Sequence, residues 1–327
     1  MTELLIVGSG LAGLFAAALA RRREAHVRVI AEGRGGLSLS HGCIDAPGEQ
    51  DTVRFAGRPG RSPLDVSAVV RHLQPALIEL SDILTAQHLE YRLSLDRPLR
   101  LPTAVGSVHT TAAAPLSLSD GELEDSRPMV IADIRGVRDF SAAICVSGLK
   151  RHGVAVASGV TLALPPQVEG SAHNPLQLAR TFDSPETRRA IFESWAAQLP
   201  ATERLGVPAV LGFEDAQQVL VEAADRLGLQ IFEIPTLPPS LPGLRLERAL
   251  RRYLVAKGVE FIEGPSVRGE IDGRSGGRRV SGVLATTAGG PRLFRGRSVL
   301  LATGGALHGG WLGFPSGEVQ ESVFGLP

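Results

Sequence analysis

The chain has 327 residues, of which 43% are hydrophobic and 21% charged. That composition belongs to an ordinary globular protein with room for two domains and a large core. Its 34 basic residues are balanced by 34 acidic ones, which speaks against a general nucleic-acid or anionic-membrane binder, since both depend on a basic surface.

Two cysteines occur, Cys43 and Cys145, about a hundred residues apart, with no C-x-x-C and no Cys/His cluster of metal-ligand spacing. A chain-bound iron–sulfur cluster, a structural zinc or any other resident metal is therefore not expected. No apolar run is long enough to span a bilayer. Glu3 precedes the first apolar run and Arg21-Arg22-Arg23 follow it, the reverse of a secretory signal. Membrane association is expected to come only through a partner.

Leu4-Leu5-Ile6-Val7 reads as a strand and runs directly into Gly8-Ser9-Gly10-Leu11-Ala12-Gly13, a G-x-G-x-x-G turn. Leu14 to Arg23 has helix-forming composition, Val27 to Ile30 is a second strand, and Glu32 stands nineteen residues after Gly13. Gly8 allows the tight turn, Gly10 lets backbone approach a pyrophosphate, and Gly13 lets helix and strand pack closely. The helix N-terminus offers amides to the phosphates, and Glu32 can accept from the ribose hydroxyls of an adenosine. Strand, glycines, helix, strand and acid in that order predict a Rossmann-like FAD/NAD(P)-binding domain.

Gly33 to Asp45 is rich in Gly and Ser and begins where the second strand ends. In an open α/β sheet that position lies beside the ligand, and Ser38, Ser40 and His41 can donate hydrogen bonds there. Residues 50 to 63 read as a polar loop. Val66 to His88 has apolar residues at helical spacing, and Pro75 inside it predicts a kink or two helices. The segment from Arg97 to Pro115 holds Gly106, His109, Thr110 and Thr111. Two βαβ units follow. The first runs Met129–Ile134, Phe140–His152 and Val154–Ala157, and the second runs Ala209–Phe213, Glu214–Leu227 and Leu229–Ile234. Residues 165 to 174 read as irregular and Pro185 to Gln198 as helix. Neither unit has a G-x-G-x-x-G turn, which predicts an α/β cap domain inserted at residues 51–242 between the two parts, 1–50 and 243–327, of a discontinuous dinucleotide-binding domain.

Pro235 to Gly243 carries four prolines and marks the re-entry. A helix is predicted at Leu244–Lys257, then strands at Val259–Glu263, Val280–Thr287 and Pro291–Arg295, with Gly289-Gly290 as a hairpin turn. Ser298 to Ala302 is a last strand that stops at Thr303-Gly304-Gly305, bare backbone beside a ligand.

With both Gly-rich ends in hand, the chain resembles the two-dinucleotide-binding-domain flavoproteins. Within that class it looks like a member of the B-subunit family of anaerobic glycerol-3-phosphate dehydrogenases. The residues that carry this are Gly8 to Leu14, Ser40-His41-Gly42-Cys43-Ile44-Asp45, Gly136-Val137-Arg138-Asp139-Phe140, and Ile234 to Ser240 through Gly243-Leu244-Arg245-Leu246. The ending from Gly309-Gly310 to Phe324-Gly325-Leu326 adds to them. The resemblance implies a cytoplasmic flavoprotein, peripheral at the membrane. It would pair with the A subunit, a catalytic flavoprotein, and with the C subunit, a membrane-bound iron–sulfur protein. Together these would oxidise sn-glycerol 3-phosphate to dihydroxyacetone phosphate and pass electrons to quinone in anaerobic respiration. FMN is the cofactor the resemblance implies, whereas Glu32 after the fingerprint points to FAD, because FMN has no adenosine. Members of that family continue past the position of Pro327 with a Gly-rich stretch and a last helix beside the flavin ring, so a fragment or a short variant is expected.

For flavin binding the candidates are Gly8, Ser9, Gly10, Gly13, Glu32, Ser40, Gly42, Thr303 and Gly304. Alcohol oxidation needs a group that takes a proton; His41 and His308 are placed for it, and His109 is a third possibility. Arg245 can pair with a phosphate or an acidic partner, and Cys43 reads as a small residue chosen for fit. Two alternatives stay open on the residues: a stand-alone FAD-dependent oxidoreductase of another small substrate, and a non-catalytic scaffold that kept the fold.

Overall fold

The computed structural model describes residues 2–46, 66–274 and 277–326; the polar loop expected at 50–63 lies outside the described residues. The chain is α/β and forms two compact units, Met1–Ser38 with Glu247–Pro327, and Leu39–Leu246. The divisions fall at 38/39 and 246/247, whereas the residue pattern alone places them near 50 and 242.

In the first unit β1 (Leu4–Val7), α1 (Leu11–Arg22) and β2 (Val27–Ala31) follow one another. The four-stranded sheet has the order Glu260–Glu263, β2, β1, Ser298–Leu301, and every pair in it is parallel. Leu5, Ile6 and Val7 are all buried, the continuous apolar run of a strand covered on both faces. Leu5, Val7 and Ile30 pack with Val283, Ala285, Phe294 and Val323. The last four come from an antiparallel three-stranded sheet, Val267–Arg274, Gly277–Thr287 and Gly290–Phe294, and from the residues around Val323. The first of those strands has no signal in the sequence, because Arg268, Gly269, Glu270 and Asp272 hide its alternation.

The second unit has its own parallel sheet, in the order Gln230–Ile234, Arg204–Pro208, Met129–Ile134, Val156–Leu162. Its two βαβ units run outward from the seam between Met129–Ile134 and Arg204–Pro208. The first strand of the second βαβ unit is Arg204–Pro208, not Ala209–Phe213. Arg204, Gly206 and Pro208 break the apolar pattern, yet Arg204 is wholly buried. Its guanidinium donates to the carbonyls of Asp120, Glu122 and Asp125 at 3.1, 2.9 and 3.1 Å.

Helices Pro175–Asp183 and Pro185–Ala196 begin with proline after the caps Asn174 and Ser184; the first of them is not among the predicted helices. Phe182, Phe192 and Trp195 from this pair meet with ring centroids 5.7–6.0 Å apart and anchor the core of the unit. Val66–Thr85 is one helix through Pro75. Pro75 is exposed, so the carbonyl it leaves unbonded can be met by water. The segment after Arg97 folds as a hairpin, Leu99–Pro102 with Val108–Thr111, followed by Ala113–Pro115 paired to Tyr91–Leu93. That hairpin carries His109.

Candidate functional site

In the first unit the fingerprint is a backbone cradle. Gly8 has φ +112°, and a Cβ there would lie 2.1 Å from the Ala302 carbonyl oxygen. A Cβ on Gly13 would lie 2.1 Å from the Gly8 carbonyl oxygen, so α1 approaches β1 as closely as bare backbone allows. Gly10 is the N-cap of α1; no side chain caps the helix and its first turn holds no acid. The first-turn amides and the positive end of the helix dipole are therefore left for an anion. Gly35 closes against this turn, since a Cβ on it would lie 2.3 Å from Gly10 Cα. A cradle that excludes a Cβ at Gly8, Gly13 and Gly35 and leaves a helix uncapped fits a dinucleotide pyrophosphate.

The remaining first-unit candidates have distinct roles. Ser9 is buried; its hydroxyl donates to the Gly33 carbonyl at 2.9 Å and accepts from Arg251 Nη2 at 3.2 Å. The Ser9 side chain thus ties the loop to its surroundings. Arg251 also pairs with Glu247 at 2.9 Å and Glu263 at 2.6 Å. Arg251 and Glu247 carry no distinguishing signal in the sequence, where they read as one helix's polar face. Glu32 stands exposed at the end of β2. Thr303 and Gly304 (φ +84°) follow the last parallel strand. His308 is exposed and lies against Gly36, where a Cβ would meet its Nε2 at 2.4 Å.

The other candidates belong to the second unit. There the loop from Ser40 to Asp45 is pinned by hydrogen bonds. Gly42 N–H donates to Ser40 Oγ at 3.0 Å, Tyr91 Oη donates to the Gly42 carbonyl at 2.6 Å, and Ile44 N–H donates to the Ala113 carbonyl at 2.8 Å. Gly42 has φ +79° and packs beneath Pro242. Ser40 and Gly42, expected to bind flavin, thus hold the shape of their own loop, through the Ser40 Oγ acceptor and both backbone groups of Gly42.

This loop lines a cavity of about 190 Å³ with His41, Cys43, Leu101, His109, Thr236 and Ser240 among its walls. Glu233 and Thr236 place it at the carboxyl end of strand Gln230–Ile234, where open α/β sheets hold ligands. The imidazoles of His41 and His109 stand 4.3 Å apart, centroid to centroid. Asp45 Oδ1 lies 3.0 Å from His109 Nε2, and its Oδ2 lies 3.9 Å from His41 Nε2. Cys43 N–H donates to His41 Nδ1 at 3.2 Å.

Burial and the neighbouring His109 hold the His41 pKa below that of a free imidazole, against the pull of Asp45. Burial, with Asp45 beside it, pushes the Cys43 thiol up to about 12. Burial works against the charged form of Asp45, but hydrogen bonds from His109 and Thr111 outweigh it and lower its pKa. The cluster therefore holds a carboxylate, a His41 imidazole held toward its neutral form and a protonated thiol, with the His109 ring beside them. Ser240 Oγ is buried in the same wall with no hydrogen-bond partner.

Two expectations change. Arg245 is not poised for a substrate phosphate. It is 5% exposed, its Nη2 donates to Glu233 Oε1 at 3.0 Å, and its Nε donates to the Gly212 carbonyl at 2.8 Å. Glu233 is held in turn by Leu211 N–H at 2.7 Å. The expectation that Cys and His do not group is also corrected, because the hairpin brings His109 to the His41–Cys43 loop. No local spacing could have announced that.

The cradle and its strand order define a dinucleotide-binding α/β protein, and comparison with known families makes this specific. Residues 3–275 match the FAD binding domain family, and the chain belongs to that family. Among curated proteins it is 29% identical to the probable B subunit of an anaerobic glycerol-3-phosphate dehydrogenase from Halobacterium salinarum, over 99% of this chain and 78% of that protein. It is 28% identical to the corresponding B subunit from Pectobacterium atrosepticum, over 82% of this chain and 68% of that one. Among solved structures, the 3-ketosteroid Δ1-dehydrogenase of Sterolibacterium denitrificans shares 15% identity, with a TM-score of 0.44. This chain is covered to 93% and spans 47% of that structure's length. Among the described residues no helix is long and apolar enough to cross a membrane.

Proposed function

We propose that this chain is the flavin-binding B subunit of an anaerobic glycerol-3-phosphate dehydrogenase. It would oxidise sn-glycerol 3-phosphate to dihydroxyacetone phosphate and pass electrons toward quinone. Its partners would be the catalytic flavoprotein (the A subunit) and the membrane-bound iron–sulfur protein (the C subunit). The observation that carries the reading is the uncapped cradle at Gly8–Gly13, closed to a Cβ at Gly8 and Gly13, in a chain whose curated relatives of that name align over nearly its whole length. FAD is the cofactor favoured over FMN, on the family match and on Glu32. When bound, FAD supplies the two-electron acceptor that amino-acid side chains lack.

The chain's own residues do the rest. The first-turn amides of α1 hold the pyrophosphate and Glu32 accepts from the ribose. Thr303 and Gly304 offer backbone where the last strand ends. Of the catalytic candidates, His41 and His109 line a cavity, and a ring nitrogen there can take the carbinol proton. His308 stands exposed in the first unit, and Arg245 acts as a structural cation.

The test is the visible spectrum of the purified chain, with the cofactor released and separated as FAD or FMN. Glycerol 3-phosphate oxidation by an artificial acceptor is then followed with and without the co-expressed catalytic flavoprotein. Bound FAD and activity that needs both chains support the proposal; a colourless protein, or full activity of this chain alone on an unrelated substrate, overturns it.

One observation favours a second reading, an FAD-dependent oxidoreductase of an uncharged small substrate. No Lys or Arg lines the second unit's cavity among the described residues, and a phosphate dianion there would meet only imidazoles as cationic partners. A panel of neutral alcohols against glycerol 3-phosphate separates the two.

A further inference from the structure

We propose that His41, Cys43 and His109 form a binding site for a divalent transition-metal cation of the zinc type, with Asp45 orienting the imidazoles. The three donor atoms already lie within 4.8 Å of one another. They come from two chain segments held by independent means: the loop by Tyr91 and Ala113, the hairpin by its own ladder. Tetrahedral zinc takes nitrogen and sulfur at roughly 2.0–2.3 Å, which sets its ligands about 3.5 Å apart. Side-chain rotation alone can close that gap.

The hydrogen bonding suits ligation. Asp45 faces Nε2 of both rings, at 3.0 Å for His109 and 3.9 Å for His41. With Nε2 carrying the proton toward the carboxylate, each Nδ1 keeps its lone pair, the carboxylate–histidine arrangement that fixes a metal-binding tautomer. On the His41 ring this lone pair now meets only the Cys43 amide at 3.2 Å, a contact that a metal replaces. Cys43 is buried, and the thiol gives up its proton to solvent as the metal takes the sulfur. One thiolate, the Asp45 carboxylate and two neutral imidazoles balance a dication, so the loaded cluster carries no net charge.

His41, Cys43 and His109 line the cavity of about 190 Å³, which has room for a water that would complete the ligand set. The unpartnered Ser240 hydroxyl in its wall can bond that water. Blue-copper centres share the two-imidazole, one-thiolate set but add a weak axial methionine; Met129 is packed in the sheet core instead. These donors carry the site independently of the flavin reading. A ring nitrogen on a metal accepts no proton, so metal loading and proton uptake at that atom of His41 exclude each other.

The test uses the full chain, stripped with a chelator and titrated with Co²⁺ and then Zn²⁺. We expect one equivalent of Co²⁺ to give a thiolate-to-cobalt charge-transfer band, and Zn²⁺ to abolish it one for one. Cys43→Ala should abolish the band, His109→Ala should weaken binding at least about 100-fold, and Asp45→Asn about 10- to 100-fold. Circular dichroism checks that each variant folds, and Cys43→Ser serves if Cys43→Ala does not. Absence of the band, or uptake indifferent to the Cys43 and His109 substitutions, overturns the site. Flavin is measured on the same samples by acid extraction. Metal without flavin therefore counts against the flavin reading alone, and flavin without metal against the metal site alone.

Discussion

The two units hold their ligand-competent places by opposite means. In the first, the cradle is backbone: Gly8, Gly13 and Gly35 with no space for a methyl group, a helix end with no cap, and the Ala302 carbonyl oxygen 2.1 Å from any Cβ on Gly8. In the second, the cavity is lined by side chains, namely two imidazoles, a thiol, a carboxylate and an orphan hydroxyl. A backbone site fails by collision, so substitution there should act on folding and binding together. A side-chain site fails by lost chemistry, so its residues should be removable with the fold intact.

Arg245 gives the largest effect, because it stands between these categories. Arg245→Met leaves the Glu233 carboxylate buried without its guanidinium, and denaturant titration should show a loss of about 3–5 kcal/mol. Intact stability with lost turnover would instead return Arg245 to the substrate. Next comes Gly13→Ala, whose methyl must displace the Gly8 carbonyl; a loss of about 1–3 kcal/mol and of flavin content is expected. Gly33→Ala, with nothing within 4 Å of the added methyl, should stay within about 0.5 kcal/mol. If the two alanines behave alike, the cradle is not steric.

A pH series probes the second unit's ties. A hydrogen bond from Arg127 holds Asp125 down at about 2. Its folded pKa lies below the unfolded value, so it adds stability above an ordinary carboxylate pKa of about 3.9 and loses it as pH falls toward the folded value. The melting temperature of wild type should exceed that of Asp125→Asn at neutral pH, with the gap closing in acid; a gap that widens in acid would reverse the sign assigned here. The smallest effect is expected from Ser240→Ala. Its hydroxyl has no partner to lose, so stability should stay within about 0.5 kcal/mol, while affinity for whatever fills the cavity falls.

These contrasts also explain what could be read from residues alone. The path from Leu4 to Glu32 was legible because each signal there is local: an apolar run, glycines at fixed spacing, a helix former, an acid. The strand Arg204–Pro208 was not, because its arginine is made tolerable by carbonyls some eighty residues upstream. His41 and His109 could each be named as a candidate, but their meeting depends on the Leu99–Thr111 hairpin, whose pattern is masked by Pro102 and Gly106. Arg245 had the sequence context of a ligand residue and the surroundings of a core residue. Only its partners, Glu233 and Gly212, distinguish the two.

The strand order of the first sheet bears on biosynthesis. β1 lies between β2 and Ser298–Leu301, and the Ser9 hydroxyl is held by Arg251. A ribosome that has made the fingerprint has made neither its second flanking strand nor that arginine, while the contiguous stretch from Leu39 to Leu246 emerges whole. The middle of the polypeptide can therefore fold during translation, and the nucleotide cradle is completed only once the later strands emerge.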